Sequence, residues 1–143
     1  MRMLLIEDEE NARIGLIAVL KLRGHIIDFA ENAEKAVELL VANAYDLLLL
    51  DIMIPGGEMF QGVGYREMGK ELLRRLRSGE ISPCNTSLRV PAIAITGVAE
   101  LDTYETLKAL GILYMFQKPI DPEEAFDLIE TICKSTKEED KDE

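Results

Sequence analysis

Three acidic residues, Glu7, Asp8 and Asp51, come directly after short apolar runs in this chain. The run at 47–50 is four leucines, and turn-forming proline and glycine residues follow Asp51 at 55–57. An unbroken apolar run that ends in a turn is typical of a strand buried on both faces of a parallel sheet. Ligands bind at the carboxyl edge of such sheets. Carboxylates that meet there repel one another unless a cation neutralises them, and hard oxygen ligands favour Mg2+.

Two further polar residues, Thr96 and Lys118, lie at the ends of later apolar runs. They add a hydroxyl group and an ammonium group to the same predicted edge. A carboxylate oxygen can attack phosphorus while nearby cations stabilise the remaining phosphoryl oxygens. The five residues therefore predict a phosphoryl-accepting aspartate, Asp51, beside a bound Mg2+.

Alternating strands and helices are needed to position these residues. Short apolar runs predict strands at 3–6, 25–30, 47–50, 92–96 and 114–117. Helical spacing follows the first two runs, with Asn32 as an amino-terminal cap, and further helices are predicted at 69–77, at 103–110 and from Pro122 onward. This alternation predicts an α/β fold with a doubly wound, five-stranded parallel sheet. In the strand order 2-1-3-4-5, the first and third strands are neighbours, so their acidic residues meet.

One domain over residues 1–134 accounts for all of these elements, because a chain of 143 residues with 48% hydrophobic content can bury a single core. Residues 135–143 are predicted to form a disordered acidic tail, with a partner-binding tail as the alternative. The polar stretches 56–67 and 78–90 are predicted to be surface loops, the first packing in part.

Charge and cysteine content restrict the partners and the compartment. The chain has 27 acidic and 16 basic residues, a net charge of -11, which opposes binding to nucleic acid or anionic lipid. Cys84 and Cys133 match no metal-binding spacing or disulfide framework, which favours a reduced, cytoplasmic protein. His25, the single histidine, is predicted to be a surface or edge residue without partners for a metal site. We expect no signal peptide and no membrane span.

Four short motifs occur in a recognisable order over about residues 1–134. They are the acidic pair after the first strand, "DIMIP" from Asp51, "AITG" through Thr96 and "KP" from Lys118. In this order they resemble the receiver domain of two-component response regulators, of the stand-alone, chemotaxis-regulator type. The resemblance implies a flavodoxin-like receiver fold and a signalling protein rather than an enzyme.

The resemblance also implies a role for each site residue. Asp51 would accept the phosphoryl group, Asp8 would bind Mg2+ directly with Glu7 as its partner acid, and the backbone carbonyl of Met53 would be a further metal ligand. Thr96 would be the switch hydroxyl. Lys118 would contact the phosphoryl group and would precede a cis peptide bond to Pro119. The phosphoryl donor would be a phosphohistidine on a sensor histidine kinase or a histidine phosphotransfer protein, and the signal would pass to an unknown partner protein.

Two positions leave alternatives open. Met115 stands where the family usually has an aromatic switch residue, so a relict receiver that binds proteins independently of phosphorylation is the second hypothesis. An aspartate-nucleophile phosphohydrolase would need a second aspartate at the position of Met53, which weakens the enzyme hypothesis.

On the first helix, Ile14, Ile17 and Ala18 widen the apolar face. They are either buried in the core or form a docking patch for the phosphoryl donor.

Overall fold

The computed structural model describes residues 1–97 and 100–141, with side chains described as far as residue 135. Within this part of the chain, no helix is both long enough and apolar enough to cross a bilayer. The elements alternate as predicted. They are β1 (Arg2–Ile6), α1 (Glu10–Leu22), β2 (Ile26–Ala30), α2 (Ala33–Ala42), β3 (Leu47–Asp51), α3 (Met68–Ser78), β4 (Ala92–Thr96), α4 (Leu101–Ala109), β5 (Tyr114–Gln117) and α5 (Pro122–Lys141), with 3-10 turns at Glu58–Phe60 and Tyr65–Glu67.

The strands form one parallel sheet in the order β2-β1-β3-β4-β5, which confirms the predicted fold class and strand order. In this register Ile6 pairs with Leu50, and Asp51 pairs with Ile95. The ends of β1, β3 and β4 are therefore level, and the residues that end or follow these strands share one edge of the sheet.

The leucine run of β3 is apolar throughout because helices cover both faces of the sheet. Leu48 and Leu50 pack in a core with α2, α3 and α4, whereas Leu47 and Leu49 pack with α1 and α5. All four side chains are at most 2% exposed. The central strand is thus held from both sides, and its last residue, Asp51, has a fixed position.

Most helix boundaries follow the predicted local signals. The Asn32 side chain accepts a hydrogen bond from the Lys35 N–H at 2.7 Å, and the Asp121 carboxylate accepts one from the Glu123 N–H at 3.0 Å. The last boundary differs, because α5 continues to Lys141 and so enters the segment predicted to be a disordered tail. Residues 142 and 143 lie outside the described part of the chain, and the domain boundary at 134 stays a prediction.

Both long loops pack in part against the core, which was predicted for the first of them, 56–67, but not for the second, 78–90. In the first, Phe60 is 2% exposed and stacks under the Arg75 guanidinium at 4.3 Å. In the second, Thr86 and Val90 are buried, and the Thr86 N–H donates to the Leu40 carbonyl at the end of α2. Both loops therefore bury part of their length against helices, which corrects the prediction of surface loops for 78–90.

Gly69 allows α3 to approach the end of β3. A Cβ atom at this position would lie 2.6 Å from the Cα of Ile52 and 2.7 Å from the carbonyl oxygen of Asp51. These contacts are with backbone atoms that cannot move aside cheaply. The glycine thus serves the packing of α3 against the acidic edge.

Met115 and Phe116 lie on opposite faces of β5. Met115 packs against the core on the α2, α3 and α4 side, and Phe116 packs on the α1 and α5 side, 4.8 Å from the Tyr114 ring centre. This arrangement confirms the alternation expected along the strand. Met115, which stands where the resemblance places an aromatic switch residue, therefore packs against the core.

Candidate functional site

The carboxyl edge of the sheet brings Glu7, Asp51 and Lys118 into direct contact. Lys118 Nζ lies 2.6 Å from Glu7 Oε1 and 2.8 Å from Asp51 Oδ2. The two carboxylate side chains are each 3% exposed, and the lysine side chain is 24% exposed. A single ammonium group thus faces two buried carboxylates, and the peptide bond from Lys118 to Pro119 is cis, as predicted.

Asp8, Met53 and Thr96 complete the predicted set at the same edge. One oxygen each of Glu7, Asp8 and Asp51 lies within 4.8 Å of the others. The Met53 N–H donates to Asp51 Oδ1 at 3.1 Å, while Thr96 is 2% exposed at the end of β4. The structure therefore assembles the predicted residues in one place, and the roles assigned to them remain predictions.

The site has more negative charge than Lys118 can neutralise. Burial, followed by the adjacent Asp51 carboxylate, raises the pKa of Glu7 to about 8, although Lys118 opposes the rise. Burial alone would lower the pKa of Lys118, but its bonds to Asp51 and Glu7 outweigh that effect and raise it. The site therefore favours a further positive charge.

A Mg2+ ion fits this donor set. Glu7 Oε2 is buried and has no hydrogen-bond partner among the residues that the structure describes. Such an atom is costly to bury unless a ligand satisfies it. The clustered ligands are all carboxylate oxygens, which Mg2+ prefers to softer donors. Glu7, Asp8 and Asp51 would hold the ion, which would supply positive charge next to Asp51 when bound.

Arg13 positions the acidic loop, a role that the sequence analysis missed. Its guanidinium donates to the carbonyl oxygen of Glu7 at 3.0 Å and to that of Asp8 at 3.2 Å, and it lies over the Phe29 ring. The residue is 8% exposed. A sequence signal existed, because position 13 falls on the same helical face as the core residues Leu16 and Leu20.

Tyr65 reaches the site from the long loop after β3. Its hydroxyl donates to Asp8 Oδ2 at 3.4 Å, and burial, followed by the charge of Asp8, raises its pKa. The next residue, Arg66, lies 3.9 Å from Glu100, just before α4. The loop thus contacts both the acidic residues and the segment after Thr96. No sequence pattern predicts this contact, because the conformation of a long loop cannot be read from its residues.

Comparison with known proteins identifies the class that the fold and site define. The sequence pattern of the response regulator receiver domain matches residues 3–130. The chain therefore belongs to the response regulator receiver family, the signalling domains of two-component systems.

Relatives of known sequence agree with this assignment, and a solved structure shares the fold. The sporulation initiation phosphotransferase F of Bacillus subtilis is 30% identical over 128 residues, which cover 90% of each chain. The transcriptional regulatory protein DltR of Streptococcus agalactiae is 30% identical over 112 residues, and the chain spans only 42% of its length. A CheY-like receiver domain structure from Methanospirillum hungatei has a TM-score of 0.72 at 22% identity and covers 99% of this chain and 98% of that one. It shares the fold.

Proposed function

We propose that the chain is a phosphorylation-controlled switch in which Asp51 accepts a phosphoryl group. The supporting observation is the position of the Asp51 carboxylate, 2.8 Å from the Lys118 ammonium group and beside two further acids that fit Mg2+. In the proposed step a carboxylate oxygen of Asp51 attacks phosphorus, an acyl phosphate forms, and the donor group leaves with the electrons of its broken bond to phosphorus. Lys118 offsets the charge on the transferred oxygens.

The proposed donor is a phosphohistidine on a sensor histidine kinase or a histidine phosphotransfer protein. The proposed output is a change of conformation that a partner protein recognises. The surface formed by α4 and β5 suits such a partner, because it exposes large apolar side chains at Leu101, Tyr104, Leu113 and Tyr114. New contacts of Thr96 and Lys118 with the phosphoryl group would supply the energy of the change.

The test is the intact mass of the protein after incubation with acetyl phosphate and Mg2+. The proposal expects a gain of one phosphoryl group that EDTA prevents. A folded protein that gains no mass under these conditions would instead be a relict receiver that binds proteins without phosphorylation.

A substitution at Ile14 tests the docking patch on α1. Ile14 is 59% exposed, which contradicts burial of the whole apolar face. We expect Ile14→Ala to slow transfer from a phosphorylated histidine kinase several-fold, about 1 kcal/mol of lost contact, with little change in melting temperature. The rate with phosphoramidate, which needs no docking surface, should stay the same.

Ile26→Ala is the matched control, because Ile26 is 61% exposed and lies at the start of the edge strand β2. Its transfer rate should equal that of the wild type. Equal slowing of both variants would show that the Ile14 effect is not specific to α1.

A substitution at Tyr65 tests the contact made by the long loop. The Tyr65 hydroxyl occupies an oxygen of Asp8 that would otherwise be free for a cation. We expect Tyr65→Phe to tighten Mg2+ binding about two- to five-fold, because a long, half-exposed hydrogen bond is worth about 0.5–1 kcal/mol. Isothermal titration calorimetry measures the affinity. Tyr104 is an exposed tyrosine on α4, and Tyr104→Phe should leave the Mg2+ affinity unchanged. Weaker Mg2+ binding by Tyr65→Phe would refute the idea that the Tyr65 hydroxyl competes with the ion for Asp8.

A further inference from the structure

A second cluster of metal-ligating side chains lies at the opposite, amino-terminal edge of the sheet. One ligand atom each of His25, Glu130 and Cys133 lies within 4.8 Å of the others. Glu130 and Cys133 are three positions apart in α5 and therefore share a helix face. His25 comes from the turn before β2, where its N–H donates to the Leu20 carbonyl at 3.2 Å. This arrangement corrects the prediction that His25 is a surface or edge residue without metal-binding partners.

The contacts of this cluster hold the imidazole in place. His25 Nε2 lies 3.1 Å from Glu130 Oε1, and Nδ1 lies 3.2 Å from the Met1 amino nitrogen. The histidine side chain is 8% exposed and that of Glu130 is 35% exposed. Cys133 is 9% exposed and forms no disulfide. A buried nitrogen, a buried thiol and a half-buried carboxylate thus lie within 4.8 Å of one another.

These ligand types select a metal of intermediate softness. Zn2+ binds histidine nitrogen, cysteine thiolate and carboxylate oxygen, and its sites with three protein ligands keep one position open. Mg2+ and Ca2+ prefer oxygen ligands alone, so they do not match this set. The three residues line a cavity of about 680 Å³, and the fourth coordination position of the ion would open into this cavity.

Charge balance also favours a divalent ion. With the thiol and the carboxyl group deprotonated and the imidazole neutral, the ligands carry two negative charges that neutralise the ion. A neutral assembly is the least costly to bury. Arg23 and Arg89 also line the cavity, and the Arg23 guanidinium is held over the Phe126 ring at 4.4 Å.

We propose that His25, Glu130 and Cys133 form a Zn2+ site between the start of β2 and α5. Zinc–ligand bonds of about 2.0–2.3 Å require the ligand atoms to approach by up to about 1 Å. Glu130 has the most room to make this movement because it is the most exposed of the three. Binding releases the thiol proton and the proton between His25 Nε2 and Glu130, and Nδ1 then takes a proton from the Met1 amino group, 3.2 Å away, so that the imidazole stays neutral. The alternative, a simple ion pair between His25 and Glu130, does not involve the thiol.

Cobalt substitution separates the two arrangements. The metal-free full chain is titrated with Co2+, and the proposal expects a thiolate-to-cobalt charge-transfer band in the near ultraviolet that Zn2+ abolishes and excess Mg2+ does not. Cys133→Ser should lose the band. Cys84→Ser is the matched control, because Cys84 lies in the 78–90 loop outside the cluster, and it should keep the band.

Two further variants test the other ligands. His25→Gln and Glu130→Gln should each weaken Co2+ and Zn2+ binding about 100-fold or more, since loss of even an outer contact costs 10–100-fold. Melting curves in chelator show whether each variant folds. The proposal is overturned if no band appears in the wild type, if Cys133→Ser keeps it, or if the His25 and Glu130 variants bind as the wild type does. The band reports only a thiolate-bound ion, so Co2+ held by Glu7, Asp8 and Asp51 at the opposite edge of the sheet does not contribute to it.

Discussion

An Asp51→Asn variant is expected to gain no phosphoryl group from acetyl phosphate in the presence of Mg2+. The amide has no carboxylate oxygen to attack phosphorus, so the acyl phosphate cannot form. The amide keeps the size of the side chain and an oxygen that can accept from the Met53 N–H, which contacts Asp51 at 3.1 Å. The fold should therefore survive, and a melting temperature close to that of the wild type checks this.

The control for this variant is Asp102→Asn. Asp102 is an exposed aspartate in the first turn of α4 and has no place in the acidic cluster. It should gain one phosphoryl group as the wild type does, by intact mass. If the Asp51 variant still gains one group, a different side chain is the acceptor, and Glu7 and Asp8 are the nearest candidates. That result would refute the proposed role of Asp51 while leaving the fold assignment intact.

The sequence predicts the sheet and the acidic edge well because both depend on local patterns. Leu47 through Leu50 must be apolar on two faces, and this requirement is visible without any knowledge of the partners. The strand order 2-1-3-4-5 is one of the common orders of doubly wound sheets and is the one that the family resemblance implies, and it brings Glu7 to Asp51. The sheet and its acidic edge are predictable because a run of leucines has one physical explanation, burial on both faces of a parallel sheet.

Contacts between distant segments explain what the sequence does not reveal. His25 and Cys133 are more than one hundred positions apart, and only the packing of α5 beside the start of β2 brings them together. Tyr65 reaches Asp8 because the loop after β3 folds back over the edge. Neither contact leaves a periodic signal. Arg13 is the intermediate case, since a charged residue on an apolar face shows that a buried acceptor must exist without showing which one.

Replacement of Lys118 by methionine is expected to lower the free energy of unfolding of the metal-free protein by about 3–5 kcal/mol at pH 8. Methionine keeps much of the apolar stem but removes the ammonium group that lies 2.6 Å from Glu7 and 2.8 Å from Asp51. Both carboxylates are 3% exposed, so water cannot replace the lost charge. Urea unfolding in EDTA, followed by circular dichroism, measures the change.

The loss of unfolding free energy caused by Lys118→Met should be smaller at pH 5 than at pH 8. The pKa of Glu7 is about 8 in the folded protein against an ordinary value of 4.5, so the protonated carboxyl stabilises the folded state fully below pH 4.5. This contribution is lost as the pH rises through 8. Without Lys118, which opposes the rise, Glu7 holds its proton more tightly, and at pH 5 only one carboxylate remains charged. At pH 8 the wild type has begun to lose this proton whereas the variant keeps it, so the stability of the variant falls more steeply as the pH rises and the loss is larger at pH 8.

Two further variants identify the cause of this loss. Lys35→Met removes a surface lysine whose partner Glu38 is 3.4 Å away, with side chains 54% and 62% exposed, and should cost less than about 1 kcal/mol. The double variant Lys118→Met with Glu7→Gln should recover much of the stability at pH 8, because glutamine, unlike Glu7, does not have to take up a proton when it is buried beside Asp51. An equal loss at pH 5 and pH 8, without recovery in the double variant, would mean that Lys118 stabilises the fold through the packing of its stem. Recovery confined to pH 8 would instead locate the cost in the repulsion between Glu7 and Asp51, the same excess charge that makes this edge fit a cation.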